Sequence, residues 1–251
     1  MGCMQLDAIQ TNDGLVQPGF TPEGVYTLCY KPESPSSQAL ICGPIGYQGV
    51  IATRALNQLA RQLAKATIAS WRFDYRGTGE SAGDTFTSSS MLEDRQSVAS
   101  LFLTGDRRCG TIGAGFGAYP ALYGSEGEDF LVLWDPVVSG ETYAENILTD
   151  SKRHMFRHFV PWAPIELQGF TYTRELLNSI SRIRLDRYES TVPPRTLIYA
   201  HQDLPDIDRL ASCLRALGSD TSTVRHDGEV LGNGSLVTMP TAAIREIVAW
   251  I

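Results

Sequence analysis

The chain has 251 residues, 43% of them apolar, with a formal charge of −7 and an isoelectric point near 5.1. That acidic balance argues against nucleic acid or an anionic membrane surface as a partner, and leaves small-molecule chemistry open. Five cysteines (Cys3, Cys29, Cys42, Cys109, Cys213) are scattered without a CxxC pair, which fits a reducing cytoplasm and neither a disulfide framework nor a zinc site. No run approaches the roughly 20 apolar residues needed to span a bilayer. Met1-Gly2-Cys3 lacks the basic and apolar pattern of a secretory signal, and Leu6 stands where a myristoylation signal would want Ser or Thr. The length suits one α/β domain over residues 1–251, cytoplasmic by expectation.

In chain order, apolar runs alternate with helix-period segments, the pattern of a mostly parallel sheet flanked by helices. Gln5–Thr11 and Val25–Tyr30 read as N-terminal strands around the turn Asn12-Asp13-Gly14. Ala39–Cys42 is a short buried strand, and Ile51, Ala55, Leu56, Leu59, Ala60 and Leu63 mark one face of the helix after it. Thr67–Phe73 is the next strand, followed by a helix from about Met91 to Leu103. Thr111-Ile112 leads into Gly113-Ala114-Gly115-Phe116-Gly117 and a helix through Ala118–Tyr123. Phe130–Trp134 is a strand ending at Asp135-Pro136. Residues 139–193 break the rhythm, are rich in aromatics and charge, and read as an inserted helical lid. The pattern resumes with a strand at Thr196–Tyr199, a helix near Asp206–Leu217, a strand at Thr221–Arg225 that extends toward His226, and a closing helix from Thr241.

Three segments resemble the α/β-hydrolase superfamily. Arg72-Phe73-Asp74-Tyr75-Arg76-Gly77-Thr78-Gly79-Glu80-Ser81 is similar to that fold's turn after its fourth strand. Gly113-Ala114-Gly115-Phe116-Gly117 stands where a G-x-S-x-G elbow belongs. Leu131–Val138 looks like the end of the sixth strand in a narrower branch, the small hydrolase-like proteins beside exopolysaccharide (exosortase-type) and secondary-metabolite genes. The resemblance covers the chain from about residue 25 and implies an α/β-hydrolase fold with a helical lid.

Such a fold implies a nucleophile on the elbow, a histidine after the last strand, and a carboxylate that orients the histidine. Here the nucleophile position holds Gly115, which removes the hydroxyl and also the backbone strain, because glycine reaches positive φ without a Cβ clash. The histidine is missing too: the loop Gly228–Ser235 has none. Asp203 matches the carboxylate position, with a helix N-cap as the competing reading. Asp135, at the rim where ligands bind in such sheets, is a second carboxylate, and His201 is near enough to reach a cleft. His226 reads as still within the last strand, a few residues too early. His154 and His158 have the i, i+4 spacing of helical metal ligands, but a lid face without metal is the better reading.

Backbone donors of an oxyanion site survive such losses: Phe116 N–H and, since Pro44 has no N–H, Ile45 N–H. Cys42 and Cys109 read as buried apolar residues, not substitute nucleophiles. The G-x-G-x-G run is a weak dinucleotide signal, and no cofactor or metal is expected. Lid cations such as Arg182, Arg184 and Arg187 either face solvent or meet an anionic group on a small-molecule or acyl-type ligand, carrier-bound in one version. The expectation is a non-hydrolytic protein holding or positioning such a ligand. The alternatives are altered chemistry (acyl transfer, lyase or cyclisation) through His201, Asp203 or Asp135, and an ester or thioester hydrolase inactivated by a serine-to-glycine change.

Overall fold

A computed structural model describes residues 4–11, 14–83, 86–103, 105–154, 164–232 and 239–251. Its centre is a ten-stranded sheet. The N-terminal part is antiparallel: β1 (Met4–Gln5) and β2 (Ile9–Thr11) pair with β3 (Gly14–Phe20), which pairs with β4 (Tyr26–Lys31). Sequence patterning predicts one strand over Gln5–Thr11 and none at β3. Gly14, Pro18 and Gly19 hide β3, because proline lacks the N–H for a full ladder and glycine weakens strand preference.

From β4 the sheet turns parallel. β5 (Ser37–Cys42), β6 (Ile68–Phe73), β7 (Arg108–Ala114), β8 (Phe130–Trp134), β11 (Arg195–His201) and β12 (Asp220–His226) lie in the order β6-β5-β7-β8-β11-β12. The antiparallel strand β4 borders β6. The chain leaves β5 to one side first and returns to its other side, so β5 and β7 form the switch point at whose C-terminal ends such sheets bind ligands.

Both sheet faces are covered, so strands such as Phe130-Leu131-Val132-Leu133-Trp134 are buried throughout. Alternate residues serve opposite faces. Phe130, Val132 and Trp134 pack with α1 (Gly46–Lys65) and α7 (Thr241–Trp250). Leu131 and Leu133 pack with α2 (Ser88–Phe102), α3 (Ala118–Tyr123) and α6 (Ile207–Ala216). The predicted helices form, but α2 turns Met91, Asp94, Arg95 and Val98 inward and leaves Leu92, Leu101 and Phe102 half-buried.

Between β8 and β11 the chain makes α4 (Gly140–His154), the two-stranded hairpin β9 (Ile165–Leu167) and β10 (Phe170–Tyr172), and α5 (Arg174–Ser181). Tyr143, Ile165, Tyr172 and Leu176 join the same core cluster as Phe116 and Tyr119, so this segment packs onto the start of α3. Its C-terminal end is tied down by charge. Arg184 donates to both oxygens of Asp186, at 2.9 and 2.7 Å, and Arg209 of α6 lies 3.3 Å from the same carboxylate. Those bonds hold the Asp186 carboxyl below the usual carboxylate range. Arg184 is therefore paired within the protein and is no free cation for a ligand, a correction to one reading of these basic residues. No described helix is long and apolar enough to cross a membrane.

Candidate functional site

The site grows from the turn between β7 and α3. Gly115–Gly117 form one turn of 3-10 helix, and Gly115 has φ +55°, the left-handed region that glycine enters without penalty. Gly113 and Gly117 are needed for a different reason, close approach. A Cβ on Gly113 would lie 2.5 Å from Ala121 Cβ, and one on Gly117 would overlap the carbonyl oxygens of Cys42 and Gly43. A Cβ on Gly115 would meet only Pro44, at 3.3 Å. The loops after β5 and β7 thus face each other across the place where a side chain at 115 would stand.

Ile45 is the N-cap residue of α1, and Phe116 lies in the 3-10 turn; both are buried. N–H groups at helical starts have no partner within the helix, so these two backbone donors are available in principle to an oxygen in this region. Above them, Tyr143 of α4 stacks on the Phe116 ring at 5.0 Å between centroids and 24° between planes. Burial pushes the Tyr172 phenol up to about 12 and Tyr143 well above its ordinary value, so neither ionises near neutral pH. A cavity of about 140 Å³ remains, lined by Gly115, Asp135, Ser139, Thr142, Tyr143 and Asn146 among others.

Asp135 follows β8 with φ +45°, and its side chain is buried. Three donors converge on its carboxylate. Oδ1 accepts from the backbone N–H of His201 at 2.7 Å and from Nε2 of His226 at 2.9 Å, while Oδ2 accepts from Leu231 N–H at 2.9 Å. One carboxylate therefore ties together the end of β11, the end of β12 and the loop 227–232. The His226 ring is held further by stacking on Tyr199 at 4.9 Å and by an edge contact with His201 at 5.5 Å. Since Nε2 donates to Asp135, neutral His226 keeps its lone pair on Nδ1. That atom points along the loop, 3.6 Å from where a Cβ on Gly228 would be.

His226 does not line the Gly115 cavity. It lines a separate space of about 470 Å³ between α1 and the start of α7, with Arg54, Trp134 and Glu246. Val230 and Leu231 line both spaces, so the loop 227–232 is the wall between them. Gly232 seals that wall against α1, where an added Cβ would come within 2.9 Å of Gln48 Cβ.

Of the sequence candidates, Gly115 and Asp135 line one cavity; Phe116 follows Gly115 in the 3-10 turn, and Ile45 lines a different cavity, on the far side of Pro44. Asp203 is elsewhere, with 81% of its side chain exposed and outside the Gly115 cavity. It is not a helix cap either, because α6 begins after Asp206. His201 contributes its backbone N–H to Asp135, and its ring Nδ1 accepts from Asp203 N–H at 3.1 Å. Cys42 is buried as expected, its thiol pushed up to about 12 by desolvation, but Cys109 is only half-buried. His154 ends α4, and His158 lies outside the described residues. Among the described residues no cluster of His, Cys, Asp and Glu could hold a metal ion.

Sequence reasoning passed over His226 as a partner. The available signal was positional: His201 and His226 end adjacent parallel strands in register, and Asp135 follows the neighbouring strand.

No family model matches the chain, and no curated protein matches it. Solved structures do. An esterase from Pyrococcus furiosus superposes with a TM-score of 0.66 at 13% identity, covering 99% of this chain and 89% of that one. The Butyrivibrio proteoclasticus protein Est1E, solved with ferulic acid bound, gives 0.65 at 13% identity, covering 97% and 98%. A Xanthomonas campestris protein described as an α/β serine hydrolase without lid gives 0.55 at 16% identity, covering 100% and 96%. The chain has the α/β-hydrolase fold. Within that fold Gly115 occupies the elbow, and the carboxylate bonded to a strand-end histidine is Asp135, not Asp203.

Proposed function

We propose that this chain is a non-hydrolytic protein of the α/β-hydrolase fold that holds a small acyl-type ligand over Gly115, beneath residues 139–193 acting as a lid. The supporting observation is the destination of Asp135 and His226. Hydrolysis at this elbow needs a hydroxyl and an imidazole facing it. Gly115 has no hydroxyl, and the His226 ring lines the space on the far side of the 227–232 loop. What lines the cavity instead is a set of hydrogen-bonding residues on α4 and its approach: Ser139, whose hydroxyl accepts from Thr142 and Arg184, with Thr142 and Asn146. They can orient a carbonyl or amide without attacking it. At about 140 Å³ the cavity suits the acyl end of a ligand, not a large substrate.

Altered chemistry is the second reading, and it rests on Asp135, a buried carboxylate at the cavity wall. Its oxygens already accept three hydrogen bonds, which opposes a role as general base. The resemblance of 131–138 to hydrolase-like proteins of biosynthetic gene clusters suits either reading, and a carrier-bound acyl group would be a fitting ligand for both. The test uses p-nitrophenyl acetate with the full chain. The expected result is saturable binding by calorimetry, lost when Ser139→Trp fills the cavity, with p-nitrophenol released no faster than in buffer. Release that Ser139→Trp abolishes would overturn the reading.

A further inference from the structure

A third cavity, of about 370 Å³, opens on the other side of Pro44 and Ile45, between the β4–β6 part of the sheet and the first turns of α1. Its floor contains an anomaly. Register places Leu28 of β4 opposite Arg72 of β6, and Arg72 opposite Ile41 of β5. A guanidinium thus interrupts an apolar row across three adjacent strands, on the face that packs against α1. Its neighbours Trp71 and Phe73 belong to the core on the opposite face, as strand alternation requires.

Charged residues in such a position are costly unless paired. Arg72 has one hydrogen bond, from Nη1 to Asn57 Oδ1, an oxygen that also accepts from Tyr30 O–H at 3.1 Å. Among the described residues no carboxylate forms an ion pair with it, although Asp74 lines the same cavity and its charge favours the charged guanidinium. Most of the five N–H donors of this guanidinium are therefore left for the cavity it lines. Burial lowers its pKa, and the Asp74 charge opposes that shift in part. The surrounding walls are Leu28, Leu56 and Phe170, with Tyr26, Thr53 and the carboxylate of Asp74, which accepts Glu80 N–H at 3.1 Å, also in the lining and Val50 exposed at the mouth.

We propose that this cavity is a binding site for a small carboxylate with an apolar body, whose carboxylate pairs with Arg72 and whose body lies against Leu28, Leu56 and Phe170. A planar guanidinium takes a carboxylate through two parallel hydrogen bonds, and the apolar side of the wall strengthens that pair against the opposing charge of Asp74. The volume falls in the range of small-ligand sites. This site is distinct from the Gly115 cavity and does not depend on the function proposed for it.

The test is calorimetry of the full chain with 3-phenylpropanoate, its neutral amide as the comparison probe. The acid binds. The amide, Arg72→Met and Val50→Trp, which plugs the mouth, each weaken binding about tenfold or more. Ser139→Trp in the Gly115 cavity leaves it unchanged. If Arg72→Met loses its cooperative thermal transition, Val50→Trp and the amide carry the test, since neither removes the Asn57 hydrogen bond. Equal affinity for acid and amide, full binding by Val50→Trp, loss of binding in Ser139→Trp, or no binding at millimolar acid would each overturn the proposal. None of these results touches the p-nitrophenyl acetate assignment, which is read with a different probe in a different cavity.

Discussion

The turn at Gly113–Gly117 and the rim formed by β8, β11 and β12 stand side by side at the same end of the sheet, and they have kept different things. The turn keeps a backbone: two glycines packed so closely that a methyl group would overlap main chain or helix, and a third in left-handed conformation with nothing but Pro44 above it. The rim keeps residue types, a carboxylate and a histidine in contact, but directs them at each other and at a loop instead of at the turn. Close packing fixes the turn and hydrogen bonds fix the rim, through separate sets of contacts.

The largest effect should come from the turn. Gly117→Ala forces a Cβ against two backbone carbonyls that cannot move without shifting β5, and should cost about 3 kcal/mol or more, read by denaturant unfolding. A loss below about 1 kcal/mol would mean that the turn is looser than drawn.

At the rim, Asp135→Asn places an amide where three N–H donors converge, so at least one is left unpaired or repelled. We expect a loss of about 2–3 kcal/mol and faster amide exchange at Leu231, because the loop 227–232 loses its anchor. Unchanged exchange at Leu231 would show that the carboxylate does not hold the loop. Asp203→Ala, at the position that the resemblance to the fold implies for the acid, should shift stability by no more than about 0.5 kcal/mol and leave ligand binding as it was. A larger effect there would restore Asp203 to the site.

Those contrasts also mark what could be read from the sequence. The crossovers, their helices and the three glycines follow from local periodicity and turn chemistry, which depend on neighbours a few residues apart. Asp135 stood out because it ends an apolar run at a predictable rim. The partnership of Asp135 with His226 spans 91 residues and depends on the parallel register of three strands, which no local pattern reveals. Strand β3 was hidden by Pro18 and its flanking glycines, whose low strand preference is overridden by pairing with β4. Arg72 reads as an ordinary strand residue until Leu28 and Ile41 are seen on either side of it.

The proposed function requires that the rim cannot activate a hydroxyl placed at 115. Gly115→Ser tests it most directly. The serine should be accommodated at a cost of about 1 kcal/mol for its left-handed backbone and its contact with Pro44. With His226 bonded through Nε2 to Asp135 and turned to the other side of the loop, p-nitrophenyl acetate hydrolysis by the folded variant should stay at the wild-type rate. A rise of about a hundredfold or more, abolished by His226→Ala, would show that the histidine reaches the turn and would contradict the account.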